Sequence, residues 1–257
     1  MNIKIIVATH KKYRMPDDEM YLPVHVGADG KTDADGNPLD LGFTKDNTGD
    51  NISAKNYCYC ELTGLYWEWK NMEAEYLGLV HYRRHFRGRL FGRKFDKILT
   101  GAQAEKLLAG HSVLLPKKRH YYIETNRSQY IHAHHAEGLD CTEQVINEFW
   151  PDYSAAFANV MDRTAGHRFN MMIMRRDLFN DYCAWLFDVL FKVESRIDIS
   201  EWTPVEQRVF GYLSERLLDV WLEKNCIEYK DIPYEFMENQ NWFKKIAKFI
   251  SRKFGRG

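Results

Sequence analysis

The stretch Leu77-Gly78-Leu79-Val80-His81-Tyr82-Arg83-Arg84-His85-Phe86 decides the fold class. Leu77–Val80 has no polar interruption, which is the pattern of a strand buried on both faces. It then runs straight into a cationic and aromatic segment. Similar short runs lie on either side of it in the chain. Ile3–Ala8 is β-branched and ends in Thr9-His10-Lys11-Lys12, Tyr21–Ala28 reads as a second strand, and Ser112–Leu115 stops at Pro116. Met171–Met174 is closed by Arg175-Arg176. Between them lie amphipathic helices. One is expected from about Ser53 to Trp69, with Cys58, Leu62, Leu65, Tyr66 and Trp69 on one face, and another from Asp177 to Val193. A third should begin at Thr203-Pro204-Val205-Glu206, a capping box with proline in the first turn, and run to about Glu223. Buried strands alternating with such helices predict an α/β fold with a mostly parallel sheet.

The 257 residues suffice for a full core, and with no internal repeat or low-complexity linker they predict one domain over 1–241. With 36 basic and 36 acidic residues the chain lacks the positive field that non-specific nucleic-acid binding needs. No stretch approaches a spanning helix, and Met1–His10 lacks the layout of a signal peptide, so a cytoplasmic location is expected. Five cysteines with no C-x-x-C pair read as buried, reduced thiols rather than a zinc ribbon. Residues 242–257 differ from the rest. They hold six basic residues and no acid, with Trp242, Phe243, Ile246, Phe249, Ile250 and Phe254 at helical spacing. That basic amphipathic tail suits the anionic inner face of a cell membrane.

Ligands of open α/β sheets bind beyond the carboxyl ends of the strands. Those ends carry Thr9, His10 and Lys11, and His81, Tyr82, Arg83 and Arg84. Adjacent arginines supply forked donors suited to phosphate oxygens. Asp46–Ser53, with Asp50 and Asn51, offers carboxylates and amides for a base or a sugar, or else a turn and a helix cap. His132, His134, His135, His167 and Asp140 invite a metal reading, yet no H-x-x-x-H or H-E-x-x-H spacing occurs. Neither G-x-G-x-x-G, a Walker A sequence nor a G-x-S-x-G elbow is present, which argues against dinucleotide, ATP and serine-hydrolase chemistry of those types. Glu206 is explained by capping. Glu215, before Arg216, is either catalytic or half of a structural ion pair.

At these residues the chain resembles the bacterial capsule and exopolysaccharide synthesis family catalogued as a domain of unknown function of the DUF4422 type, associated with galactofuranosyl transfer. The likeness is carried by Thr9–Arg14 with Met15-Pro16, Tyr21–Ala28, Asp50–Ser53, Asn56–Asn71, Gly78–Phe86, Asn170–Met174 and Arg208–Tyr212 with Glu215-Arg216. The resemblance implies a GT-A-like glycosyltransferase, with UDP-galactofuranose as donor and a growing, lipid-linked glycan as acceptor. Most GT-A enzymes hold a divalent ion with Asp-x-Asp after a central strand. Here that position is His81-Tyr82-Arg83-Arg84, so Mn or Mg dependence stays open as a question for experiment. The roles implied are a nucleotide-sugar site at Thr9, His10, Lys11, Asp50, Asn51, His81, Tyr82, Arg83 and Arg84, with Arg83 and Arg84 on the diphosphate. Asp140, His135 and Glu215 are the candidates for the general base. A non-catalytic nucleotide- or glycan-binding protein on the same scaffold is the alternative.

Overall fold

In a computed structural model, described here for residues 1–238, the apolar runs form a mixed sheet with the order β10-β6-β9-β4-β1-β2-β3. In chain order the elements are β1 (Ile3–Thr9), β2 (Tyr21–His25), β3 (Thr44–Lys45), α1 (Asn56–Tyr59), α2 (Leu62–Asn71), β4 (Tyr76–His81), β5 (Arg84–Phe86) and α3 (Gly101–Leu108). They continue with β6 (Val113–Pro116), β7 (Arg119–His120), α4 (Asn126–Ala133), α5 (Ala136–Phe149), α6 (Ser154–Asp162) and β8 (Ala165–Gly166). Last come β9 (Met172–Arg175), α7 (Arg176–Glu194), α8 (Val209–Lys224), β10 (Lys230–Ile232) and β11 (Tyr234–Phe236). The amphipathic tail at 242–257 lies outside the described residues.

Neighbouring strands β3, β2, β1 and β4 are parallel, as are β6 and β10. β9, which we expected among parallel strands, runs antiparallel between β4 and β6. Its start therefore lies at the same edge as the ends of its neighbours. Side chains alternate across the sheet, as strand geometry requires. Ile6 and Ala8 pack under α1, α2 and α4–α8, while Ile5 and Val7 pack with α3 and Phe86 on the opposite face. β4 passes so close to β9 that a Cβ on Gly78 would lie 2.4 Å from the Met172 carbonyl oxygen. Only glycine fits there.

Three expectations need correcting. The helix over Ser53–Trp69 is broken: α1 ends at Tyr59, Cys60 takes φ of +53°, and α2 starts at Leu62. Asn56 bridges the break, donating through Nδ2 to the Cys60 carbonyl at 2.6 Å and to Thr63 Oγ1 at 3.1 Å. Only half of the Thr203–Glu206 box forms: the Thr203 amide and hydroxyl donate to Glu206 at 2.9 and 2.6 Å, but the hydroxyl caps no amide among the described residues, and a turn and a short 3-10 segment intervene before α8. The thiols are free, as expected. However, Cys226 is exposed at a left-handed turn past α8, and Cys60 is only partly buried.

Candidate active site

The break at Cys60 turns Glu61 toward the end of β4. Its carboxylate accepts from Asn170 Nδ2 at 2.8 Å and lies 3.7 Å from His81 Nε2. His81, the last residue of β4, donates to the Phe169 carbonyl at 2.6 Å. Burial, with Arg84 beside it, pushes His81 down to about 3, so the ring is neutral. Glu215, from α8, accepts from the Phe169 amide at 2.9 Å. Phe169 and Asn170 both have left-handed backbones, at φ of +79° and +53°. Such conformations cost about 1–3 kcal/mol each and persist where the surroundings fix them, commonly at functional sites. Here Glu215, Glu61, Ser214 and the Gly211 carbonyl fix them.

The β4–β5 hairpin turns at Tyr82-Arg83. Arg84 folds back, its guanidinium 4.2 Å from the centre of the Phe169 ring, within the fields of Glu61 and Glu215. Arg83 points outward, 44% exposed. Lys11 lies over Tyr82 at 5.1 Å, and His10 meets the same ring edge-on. Burial first, then the charges of Arg83, Lys11 and Arg208, lower the His10 pKa. Of these cations, Lys11 and Arg83 share one rim over the Tyr82 ring, at 5.1 and 5.2 Å. Glu238 sits between them, 3.6 Å from Lys11 and 3.8 Å from Arg83, longer than hydrogen bonds. Thr9 is buried and shapes the loop, donating to the Lys11 carbonyl at 2.7 Å. The arrangement offers exposed cations for an anion, backed by carboxylates that could take a proton.

Other sequence-predicted residues are not brought to this rim. Asp50 and Asn51 close a turn on the last turns of α2: Asp50 accepts from Tyr66, its carbonyl accepts from Asn71, and Asn51 caps the Ser53 amide. The loop's buried carboxylate is Asp46, which takes the Gly27 and Ala28 amides and the Ser53 and Thr63 hydroxyls. Asp140 rides on the outer side of α5, whose period buries Leu139, Thr142, Val145 and Ile146, and pairs with Arg127 at 3.6 Å. His135 precedes α5, stacked on Trp202 and 3.2 Å from Glu206. His134 stacks on Tyr212, which also faces Arg208. His132 meets Glu124, and His167 is clamped by Asp219 and Asp231. Among the described residues, no group of three His, Cys, Asp or Glu side chains is placed to hold a metal ion. At the hairpin itself, cations stand where the GT-A pattern has carboxylates. The residues there do not fit a divalent ion.

Sequence reasoning missed Glu61, Asn170, Phe169 and Arg208. Glu61 and Asn170 meet across 109 positions, and nothing local marks either. The adjacent left-handed pair is equally silent, since neither residue is glycine.

The family described as a domain of unknown function, DUF4422, matches residues 4–226. Among solved structures, the chain is similar to one described as the apo structure of the bifunctional glycosyltransferase WbbM, at 30% identity and a TM-score of 0.85. The match covers 93% of this chain and 46% of that one, so the chain spans about half the length of this relative. No curated protein sequence matches. The strand order, the helices on the sheet and the family match together place this chain in the DUF4422 family, on the fold of one part of a glycosyltransferase.

Proposed function

We propose that the chain is an inverting glycosyltransferase that moves galactofuranose from UDP-galactofuranose onto a lipid-linked bacterial glycan. The single observation that supports it most is the pair of exposed cations, Lys11 and Arg83, over the Tyr82 ring at the end of β4, with Glu61 and Glu215 in the hydrogen-bond network at the same strand end. In this reading Arg83 and Lys11 take the diphosphate, displacing Glu238, and their fixed charge stabilises UDP as it leaves. Arg84 is held inside by Phe169 and the two glutamates, so it positions the hairpin rather than gripping the donor. Glu215 serves as the base. The acceptor O–H proton passes to its carboxylate, the acceptor oxygen forms the new bond to the anomeric carbon, and the carbon–oxygen bond to UDP breaks on the opposite face. Glu215 is preferred over Asp140 and His135 because it alone of the three joins the network at the sheet edge. The stacked pairs His134–Tyr212 and His135–Trp202 are assigned to the acceptor side. The protein acts at the cytoplasmic face of the membrane, with the basic tail as one contact.

UDP release from UDP-galactofuranose, with a glycan acceptor and with or without EDTA, tests this reading. The account expects release insensitive to EDTA. A folded protein that binds UDP and releases none from any UDP-sugar would make it a binding protein instead.

A further inference from the structure

The loop after β5, residues 87–97, has the sequence Arg-Gly-Arg-Leu-Phe-Gly-Arg-Lys-Phe-Asp-Lys, with five cations and one acid. At its tip Leu90 and Phe91 are 69% and 87% exposed. Two adjacent large apolar side chains so exposed are costly in water, and an interaction site is a common reason for them. Beside them an open groove of about 410 Å³ has an apolar floor that includes Leu99, Leu107 and Ile232, and a rim of Arg87, Arg89 and Lys106. Part of this charge is answered locally: Glu235 draws Arg87 and Lys97, and Asp96 draws Arg93. Arg89 and Lys106 have no acidic partner among the described residues.

The course of the chain supplies a second, independent observation about this face. β5 pairs with β11, the last strand, and Lys94 Nζ donates to the Met237 carbonyl at 3.2 Å. The chain thus leaves the described structure beside the loop, a few residues ahead of the acid-free stretch 242–257 with its six basic residues.

We propose that the 87–97 loop and the adjoining α3 surface dock on an anionic lipid bilayer, with Leu90 and Phe91 entering the interface and Arg89 and Lys106 facing lipid phosphates. An apolar tip ringed by cations matches a layer whose surface is anionic and whose interior is apolar. The proposal deepens the lipid-linked acceptor reading and rests on it for its purpose, but its test needs no donor.

The full-length protein is sedimented with phosphatidylcholine vesicles, alone or with about 30% phosphatidylglycerol. Wild type should partition onto the anionic vesicles, and Leu90→Asp/Phe91→Asp should bind them at least tenfold more weakly. Arg89→Ala/Lys106→Ala should lose about 25-fold, since each basic residue near such a surface is worth about fivefold. Melting temperature and UDP release should match wild type in both variants, because no substituted residue belongs to the rim around His10. Undiminished binding by the Leu90/Phe91 variant would overturn the proposal and leave the tail as the sole contact. Wild-type binding without preference for anionic lipid, or no binding, would overturn it too. Absent UDP release with intact vesicle binding would count against the transferase reading alone.

Discussion

His81 and His167 stand near the same edge of the sheet and are treated oppositely. His81 is buried beside Arg84 and donates to a carbonyl, which keeps it neutral. His167 is more deeply buried, 1% against 14% exposed, and burial alone would lower its pKa. Asp219 on one ring nitrogen and Asp231 on the other override that and raise it. Asp219 is lowered in turn: burial works against this, and the His167 hydrogen bond prevails. A Cβ on Gly166 would lie 2.8 Å from Asp219 Oδ2, so glycine lets the clamp close. Around His167 charge is neutralised internally and little is left for a ligand. Next to His81, over the Tyr82 ring, the cations Arg83 and Lys11 stay at the surface, answered among the described residues only by Glu238 at more than hydrogen-bond distance. The first region ties up its charges within the fold, and the second leaves two cations exposed, as the proposed diphosphate site requires.

That contrast can be broken in order of expected effect. Glu215→Gln keeps an acceptor for the Phe169 amide and removes the base, so kcat should fall about 10³-fold with KM nearly unchanged. A variant within threefold of wild type would remove Glu215 from the chemistry. Asp219→Asn removes one of the two carboxylates that hold the buried His167 ring. By comparison with other broken buried pairs it should cost about 3 kcal/mol in urea unfolding while UDP affinity stays unchanged. Arg83→Ala should do the reverse, lowering kcat/KM about 10²-fold with stability unaltered.

The histidines also set a pH dependence. His85, wholly buried with neither ring nitrogen partnered among the described residues, is pushed down to about 3 by burial and by His81. Between its unfolded pKa near 6.5 and that value, only the unfolded chain takes up the proton, so stability falls as pH falls. His167 has the opposite sign: its stabilisation is complete below the unfolded pKa and is lost as pH rises through the raised folded value. His85→Leu should therefore recover about 2 kcal/mol of the stability lost between pH 7 and 5, and an unchanged slope would show that His85 takes up its proton in the fold as readily as in the unfolded chain. Smallest of all, Glu238→Gln should tighten UDP binding a few-fold at low salt, an effect that vanishes at 1 M salt because exposed pairs are screened. Weaker binding would mean that Glu238 belongs to the site.

How much of this is legible in the sequence depends on the range of the interactions. β1, β4, β6 and β9 announce themselves as apolar runs, and the Arg83-Arg84 pair is found because it comes directly after one of them. The antiparallel sense of β9 is decided by pairing partners far along the chain, so no local pattern carries it. β10 and β11, Lys-Asp-Ile and Tyr-Glu-Phe, are three-residue strands too short to establish a period. Asp140 draws suspicion beside a histidine cluster, but the helical period that turns its neighbours inward turns it to solvent. Glu61 is invisible because its place depends on one left-handed cysteine breaking a helix that the apolar pattern would have continued.

The arginine-lined rim as the diphosphate site is the claim on which the chemistry turns, and a crystal structure of the protein soaked with UDP measures it directly. The account predicts phosphate oxygens within about 3 Å of Arg83 and Lys11, with Glu238 moved aside. A diphosphate bound elsewhere, with Glu238 still between Lys11 and Arg83, would contradict it.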